Sequence, residues 1–187
     1  MRVITDGWWS KAIKLPSPNF NQRPDTPVDM IVIHNISLPP GQFGTGCVQE
    51  FFLNELKIDQ DPYFREISDM QVSSHVLIER DGKVTQFVSF EDRAWHAGRS
   101  RFRGRPECND FAIGIELEGT DDIPYSEAQY LALIELSRGI INTYPGLTLD
   151  RIVGHSHIAP ERKTDPGPAF EWSRYKKALV ASLAEDN

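Results

Sequence analysis

Two of the five histidines, His34 and His155, close short apolar runs, residues 30–33 (MIVI) before the first and residues 151–154 (RIVG) before the second. Neutral imidazole and carboxylate are ligands that zinc accepts, and a catalytic zinc takes three of them with a fourth position left for water. Asp165 offers a third donor, ten residues after His155 in the segment 159–168 (APERKTDPGP). The prolines and glycine of that segment stiffen it enough to fold Asp165 back beside His155. Spacing alone does not pair ligands this far apart. The ordinary alternative is that each histidine caps a strand or satisfies a backbone group.

A second chemical feature lies in residues 111–118 (FAIGIELE), which alternate cleanly. Ile113, Ile115 and Leu117 face one side of a sheet, and Gly114, Glu116 and Glu118 face the other. Either glutamate could act as an acid or base, and Gly114 on their face would leave room for a substrate. Lys163, two residues before Asp165, reads from pattern alone as a solvated lysine.

These residues need elements to position them. The runs ending at His34 and His155 read as buried strands. Residues 74–80 and 83–87 flank Asp81-Gly82, a strong hairpin signal. Val48, Phe51, Phe52 and Leu56 follow a helical period. Ser126 to Tyr144 is the clearest helix: Ser126 and Gln129 form a capping box, Tyr125 and Tyr130 a hydrophobic staple, and Pro145-Gly146 a stop. A last helix is expected from about Phe170 to Leu183. The segment up to Asp29 carries Pro16, Pro18, Pro24 and Pro27, so it is expected to wrap the surface without regular elements. The helices are too few to alternate with the strands. The expected fold is therefore α/β, a single domain over residues 1–187 with a central mixed β-sheet flanked by helices and a catalytic core at about 28–172. Sites in such sheets lie beyond strand ends.

Composition narrows the partners. A net charge of −7 gives no electrostatic reason to bind nucleic acid or an anionic membrane. No run approaches the roughly 18 apolar residues of a spanning helix, and the opening residues lack a signal-peptide core. Cys47 and Cys108 are read as reduced packing residues in a cytoplasmic setting.

Several blocks occur together and in order: His34-Asn35, Ser73-Ser74-His75, residues 94–98 (AWHAG), Asn109-Asp110, residues 114–119 (GIELEG), Gly154-His155 and the segment 159–168. In this the chain resembles the zinc N-acetylmuramoyl-L-alanine amidase family, within it most closely the members acting on 1,6-anhydro-muropeptides. The likeness runs from about Gly7 to Trp172. The family shares its fold with peptidoglycan recognition proteins. The resemblance implies one Zn²⁺ held by His34, His155 and Asp165, with Glu116 as catalytic acid/base and Lys163 as its cationic partner. It implies hydrolysis of the amide between a muramyl lactyl group and L-alanine, a role in peptidoglycan recycling and, through muropeptide levels, an influence on β-lactamase induction. The expected partner is a small-molecule anhydro-muropeptide, with no nucleic acid, membrane or obligate protein partner.

For substrate contacts, the matching positions point to Asn35 and Ala94, and Trp95 could stack on the apolar face of the sugar or serve as core. His75 reads as a buried or supporting histidine, and His157 as surface. Arg99, Arg101, Arg103 and Arg105 form a basic loop in an acidic chain, suited either to solvent or to gripping the carboxylates of a stem peptide. Close relatives carry stem-binding arginines where this chain has Gln71 and Glu107, so either Arg103 or Arg105 replaces them or stem recognition is weaker in this protein. Two other readings remain at this point: a non-catalytic module that binds muropeptides, and a hydrolase of intact wall outside the cell.

Overall fold

The computed structural model describes residues 3–185. The N-terminal segment carries four short strands, β1 (Ile4–Thr5), β2 (Trp8–Trp9), β3 (Ile13–Lys14) and β4 (Phe20–Gln22). The expectation of an irregular surface wrap is corrected on this point. The prolines limit strand length to two or three residues, yet β3 pairs with the main sheet and Trp9 is buried. Then come β5 (Met30–Ile36), α1 (Cys47–Phe52) and α2 (Pro62–Ile67). The strands β6 (Val76–Ile78) and β7 (Val84–Gln86) form the hairpin expected around Asp81-Gly82. Next are β8 (Asp92–Ala94), β9 (Arg101–Phe102), β10 (Arg105–Pro106), β11 (Ala112–Glu118) and α3 (Glu127–Thr143). The chain closes with β12 (Ile152–Gly154), α4 (His155–Ile158) and α5 (Trp172–Ala184).

Six strands make the main sheet in the order β12-β5-β11-β6-β7-β3. The pairs β12/β5, β5/β11 and β11/β6 are parallel, and the hairpin β6/β7 is antiparallel, so the sheet is mixed as expected. Both faces are covered, which is why β11 is buried along its whole length. Ile31, Ile33, Ile113, Ile115 and Leu117 pack on one face with Leu133, Leu136 and Ile140 of α3 and Tyr175 and Leu179 of α5. Each such fully buried aliphatic side chain contributes about 1.5–3 kcal/mol. The other face carries Met30, Val32 and Ala112 against Phe102, Phe111 and Ile158.

The capping box of α3 is present: Ser126 Oγ accepts from the Gln129 amide at 3.1 Å, and Gln129 Oε1 accepts from the Ser126 amide at 3.1 Å. The Tyr125 and Tyr130 rings meet edge to face at 6.5 Å between centroids. Both cysteines are free and buried. No helix among the described residues is long and apolar enough to cross a membrane.

Candidate metal centre and active site

Alternation along β5 and β11 sends His34 and Glu116 to the face opposite α3 and α5, near the carboxyl ends of the parallel strands. The two residues are register partners across the β5/β11 pair. His155 opens α4 immediately after β12, the strand on the other side of β5. Asp165 comes from the loop that follows. Its carbonyl accepts from the Ser156 amide at 3.0 Å, and the Tyr125 hydroxyl donates to the next carbonyl, that of Pro166, at 2.8 Å. Gly154 is required by this fold-back, because a Cβ there would lie 2.6 Å from Pro166 Cδ.

Three atoms converge. His34 Nδ1 lies 3.0 Å from His155 Nδ1 and 3.1 Å from Asp165 Oδ2, and His155 Nδ1 lies 3.2 Å from Asp165 Oδ2. Tetrahedral zinc with ligands at about 2.0–2.1 Å has ligand–ligand edges of about 3.3–3.4 Å, close to this triangle. The tautomers fit as well. The Nε2–H of His155 donates to the Ala97 carbonyl at 3.1 Å, which in the neutral ring leaves Nδ1 as a bare lone pair facing the Asp165 carboxylate. Two acceptors facing each other without a hydrogen between them suit a cation. Among the described residues these three side chains form a group able to hold a metal ion.

Burial holds His34 mainly neutral. It pulls the ring down to about 4, and the neighbouring His155 adds to this while Asp165 opposes it. Burial alone would raise Asp165, but the close approach of the His155 and His34 rings outweighs it and holds the carboxyl well below the usual carboxylate range. Both shifts favour the protonation states that a metal requires.

Glu116 stands beside the triangle, its Oε1 4.0 Å from His34 Nδ1 and its Oε2 buried without a partner. Burial pushes this carboxyl well above its ordinary value, Asp165 pushes in the same direction, and the positive charge of Lys163 pulls it back. A carboxyl raised in this way holds a proton more readily than an exposed glutamate, as an acid/base group must. The competing Glu118 is differently placed. Its two carboxylate oxygens accept from the amides of Gly44 at 2.5 Å and Arg80 at 3.2 Å, so it ties a loop to the hairpin.

The three donors and Glu116 open into a cleft of about 430 Å³ lined also by Asn35, Trp95, His96 and Lys163, with Phe51, Tyr63 and Val72 on its apolar wall. The sequence profile of the N-acetylmuramoyl-L-alanine amidase family matches residues 24–168 of the 187. The chain belongs to that family. It is 53% identical over 183 residues to the 1,6-anhydro-N-acetylmuramyl-L-alanine amidase AmpD of Haemophilus influenzae, covering 96% of this chain and 100% of that one. A crystal structure of a selenomethionine AmpD derivative matches with a TM-score of 0.91 at 46% identity, over 94% of this chain and 98% of that one. The amidase AmiD of Escherichia coli, solved with the substrate anhydro-N-acetylmuramic acid-L-Ala-D-gamma-Glu-L-Lys, matches at a TM-score of 0.59 and 31% identity, over 81% of this chain and 57% of that one.

Within this amidase-family fold, the expected substrate residues separate. Asn35 lies on the cleft wall, its Nδ2 donating to Asp121 Oδ1 at 2.8 Å. Trp95 also borders the cleft, its indole N–H donating to Asn21 Oδ1 at 2.6 Å. The Ala94 side chain does not reach it. Ala94 is fully buried among Leu77, Phe87 and Val88, because β8 turns this residue into the second apolar cluster.

Arg105 is not brought to the cleft either. Its Nη1 donates to Asp29 Oδ2 at 2.7 Å, and its guanidinium lies 3.7 Å above the Phe111 ring. Asp29 precedes β5 while His34 lies near its far end, a strand length of about 16 Å at ~3.3 Å per residue. Arg103 pairs with Asp150, and Glu107 lies 3.6 Å from Arg93.

His157 is exposed, as expected, and accepts from the Gly154 amide at 3.2 Å. His75 is buried: its Nδ1 accepts from the Gly114 amide, and Nε2–H donates to the Asp92 carbonyl, each at 3.0 Å. The residue that sequence reasoning passed over is His96, whose Nδ1 lies 2.9 Å from His34 Nε2. The only signal was its place in the block 94–98. The space at Gly114 belongs to this ring and not to a substrate, since a Cβ at Gly114 would lie 2.4 Å from His96 Cγ.

Proposed function

We propose that this chain is a zinc-dependent amidase that hydrolyses the bond between the lactyl carbonyl of 1,6-anhydro-N-acetylmuramic acid and L-alanine in muropeptides. The observation that carries the reading is the triangle of donors beside the buried, unpartnered carboxylate oxygen of Glu116. The extent of the likeness to enzymes named for this reaction supports it. We take residues 1–187 as one catalytic domain with its core at about 28–172.

In this reading His34, His155 and Asp165 hold one zinc ion. Zinc supplies Lewis acidity, polarising a carbonyl and easing ionisation of water near neutral pH. Glu116 takes the proton of the attacking water as its oxygen bonds to the lactyl carbon. The same carboxyl then returns the proton to the nitrogen of L-alanine as the carbon–nitrogen bond breaks. The second water proton leaves the new carboxyl group for the amine, so the products are a lactyl carboxylate on the sugar and a peptide ammonium. Lys163 supports the negative charge that develops on the carbonyl oxygen. Asn35 orients polar groups of the substrate, and Trp95 offers its face to the sugar.

Such a substrate is a fragment recovered from the wall, which points to a cytoplasmic recycling role and to control of the muropeptides that induce β-lactamase. The two buried, unpaired thiols agree with that compartment. Purified chain of known zinc content, assayed by mass spectrometry on anhydro-muramyl tripeptide and its non-anhydro counterpart with and without chelator, tests the proposal. Chelator-sensitive release of peptide, faster from the anhydro sugar, is expected. Bound zinc without release would instead mean a binding module.

A further inference from the structure

His34 has a metal-facing nitrogen only if its proton sits on the other one. We propose that His96 is a positioning residue for the metal centre, accepting the Nε2–H of His34 and so fixing both the tautomer and the plane of that ring. The inference rests on His34 being a zinc ligand, as argued above.

The geometry is specific. His96 Nδ1 lies 2.9 Å from His34 Nε2, and the two rings meet edge to face at 5.0 Å between centroids. Among the described residues the partner of His34 Nε2 is the His96 imidazole, where His155 Nε2 has the Ala97 carbonyl. The His96 Nε2 is buried without a partner. That atom is unpaired whichever nitrogen carries the proton, so it does not select a tautomer; the metal-facing Nδ1 of His34 does. Once His34 Nδ1 is a lone pair, Nε2 carries the hydrogen, and His96 Nδ1 is the acceptor within reach.

Three features hold the His96 ring in this position. The backbone amide of His96 donates to Asn109 Oδ1 at 3.1 Å, and the amide of Ala97 donates to the same atom at 2.8 Å. The ring fits the notch at Gly114, where an added Cβ would come within 2.6 Å of Nδ1 itself. His75 closes the far side, its ring 5.6 Å from that of His96. His75 is in turn fixed by the Gly114 amide, so one glycine serves both rings: its missing Cβ makes the space, and its N–H orients the neighbour. A neutral imidazole always has one bare ring nitrogen, and the placement of His96 turns Nδ1 toward His34. A partner that orients a ligating histidine typically changes metal affinity 10–100-fold when removed.

The test is a competition titration for zinc, with nitrogen-15 histidine spectra of the zinc-loaded wild type. His96→Phe fills the ring volume but removes the acceptor, and zinc affinity should fall by about 10–100-fold. His96→Asn returns an acceptor near the Nδ1 position and should recover most of the loss, a rescue that a purely packing role would not give. In wild-type spectra, His34 and His96 should both carry their proton on Nε2. Affinity unchanged in His96→Phe, or a proton on His96 Nδ1 in the zinc-loaded chain, overturns the inference. The spectra keep it falsifiable if the variants fail to fold. Failure of the wild type itself to bind zinc would overturn the metal reading, and this inference with it.

Discussion

Glu116 and His34 are register partners on adjacent parallel strands, and their side chains leave the same face of the sheet, with Glu116 Oε1 4.0 Å from His34 Nδ1. The separation of the proposed acid/base from the proposed metal donor is thus set by the spacing of two buried strands, about 4.8 Å, and not by a loop. Sites built on such elements hold their geometry more closely than sites on loops.

The first prediction concerns Glu116. The variant Glu116→Gln should keep stoichiometric zinc and its fold while kcat falls by about 10²–10⁴. Zinc analysis together with steady-state kinetics checks this, and normal turnover would remove Glu116 from the mechanism. Glu118→Gln is the control: its expected effect is on stability and KM, through the amides of Gly44 and Arg80.

Metal removal should separate function from fold. The donors lie on one face near the strand ends, while the main apolar cluster lies on the other, so chelated protein should retain its far-ultraviolet circular dichroism and lose turnover. Asp165→Ala should reduce zinc occupancy in the same preparation. Stoichiometric zinc in that variant would show that Asp165 is not a ligand.

Acid should destabilise the metal-free chain above the pH at which ordinary carboxylates titrate. Burial lowers His34 to about 4, and lowers His75 and His96 well below the ordinary value. Unfolded, each ring binds a proton near pH 6.5, while folded it does not. The unfolded state then holds more protons as pH falls, so stability is lost downward from about pH 6.5. Glu116, raised by burial, acts in the opposite sense, so the measurement belongs in the Glu116→Gln background. Between pH 7.5 and 5.5 the urea midpoint should fall, each ring contributing at most about 1.4 kcal/mol per pH unit. A flat midpoint over that range would contradict the burial of these neutral rings.

Arg105→Ala should leave kcat/KM unchanged on substrates with and without diaminopimelate, because the side chain is committed to Asp29 and Phe111. Stability should drop by about 1 kcal/mol, since the pair is part-exposed and Arg151 still reaches Asp29 at 2.6 Å. A selective loss of rate on the diaminopimelate substrate would return the arginine loop to stem recognition.

Much of the frame was legible because its signals are local. The apolar runs before His34 and His155, the alternation of residues 111–118, the Asp81-Gly82 turn and the Ser126/Gln129 box each sit within a few residues. The short N-terminal strands carry too few residues for any period to register, and β3 forms only because the edge of β7 is there to receive it. Arg105 was misjudged for a related reason: a count of arginines does not reveal an aspartate at the start of another strand. Gly114 was read as space for a substrate, since nothing in the alternation says which ring will fill the notch. Ala94 shows the same limit, its direction being set by the pairing of β8 with β4.

The donors at His34, His155 and Asp165 come from distant parts of the chain, and β12 reaches the sheet only by pairing with β5. During synthesis the first donor emerges some 120 residues before the second, 121 positions separating them. No nascent fragment short of the Asp165 loop can bring all three donors together. With zinc held as proposed, metal content in a preparation is a gauge of how many molecules have completed their topology, and substoichiometric zinc would report unfinished chains as well as chelation.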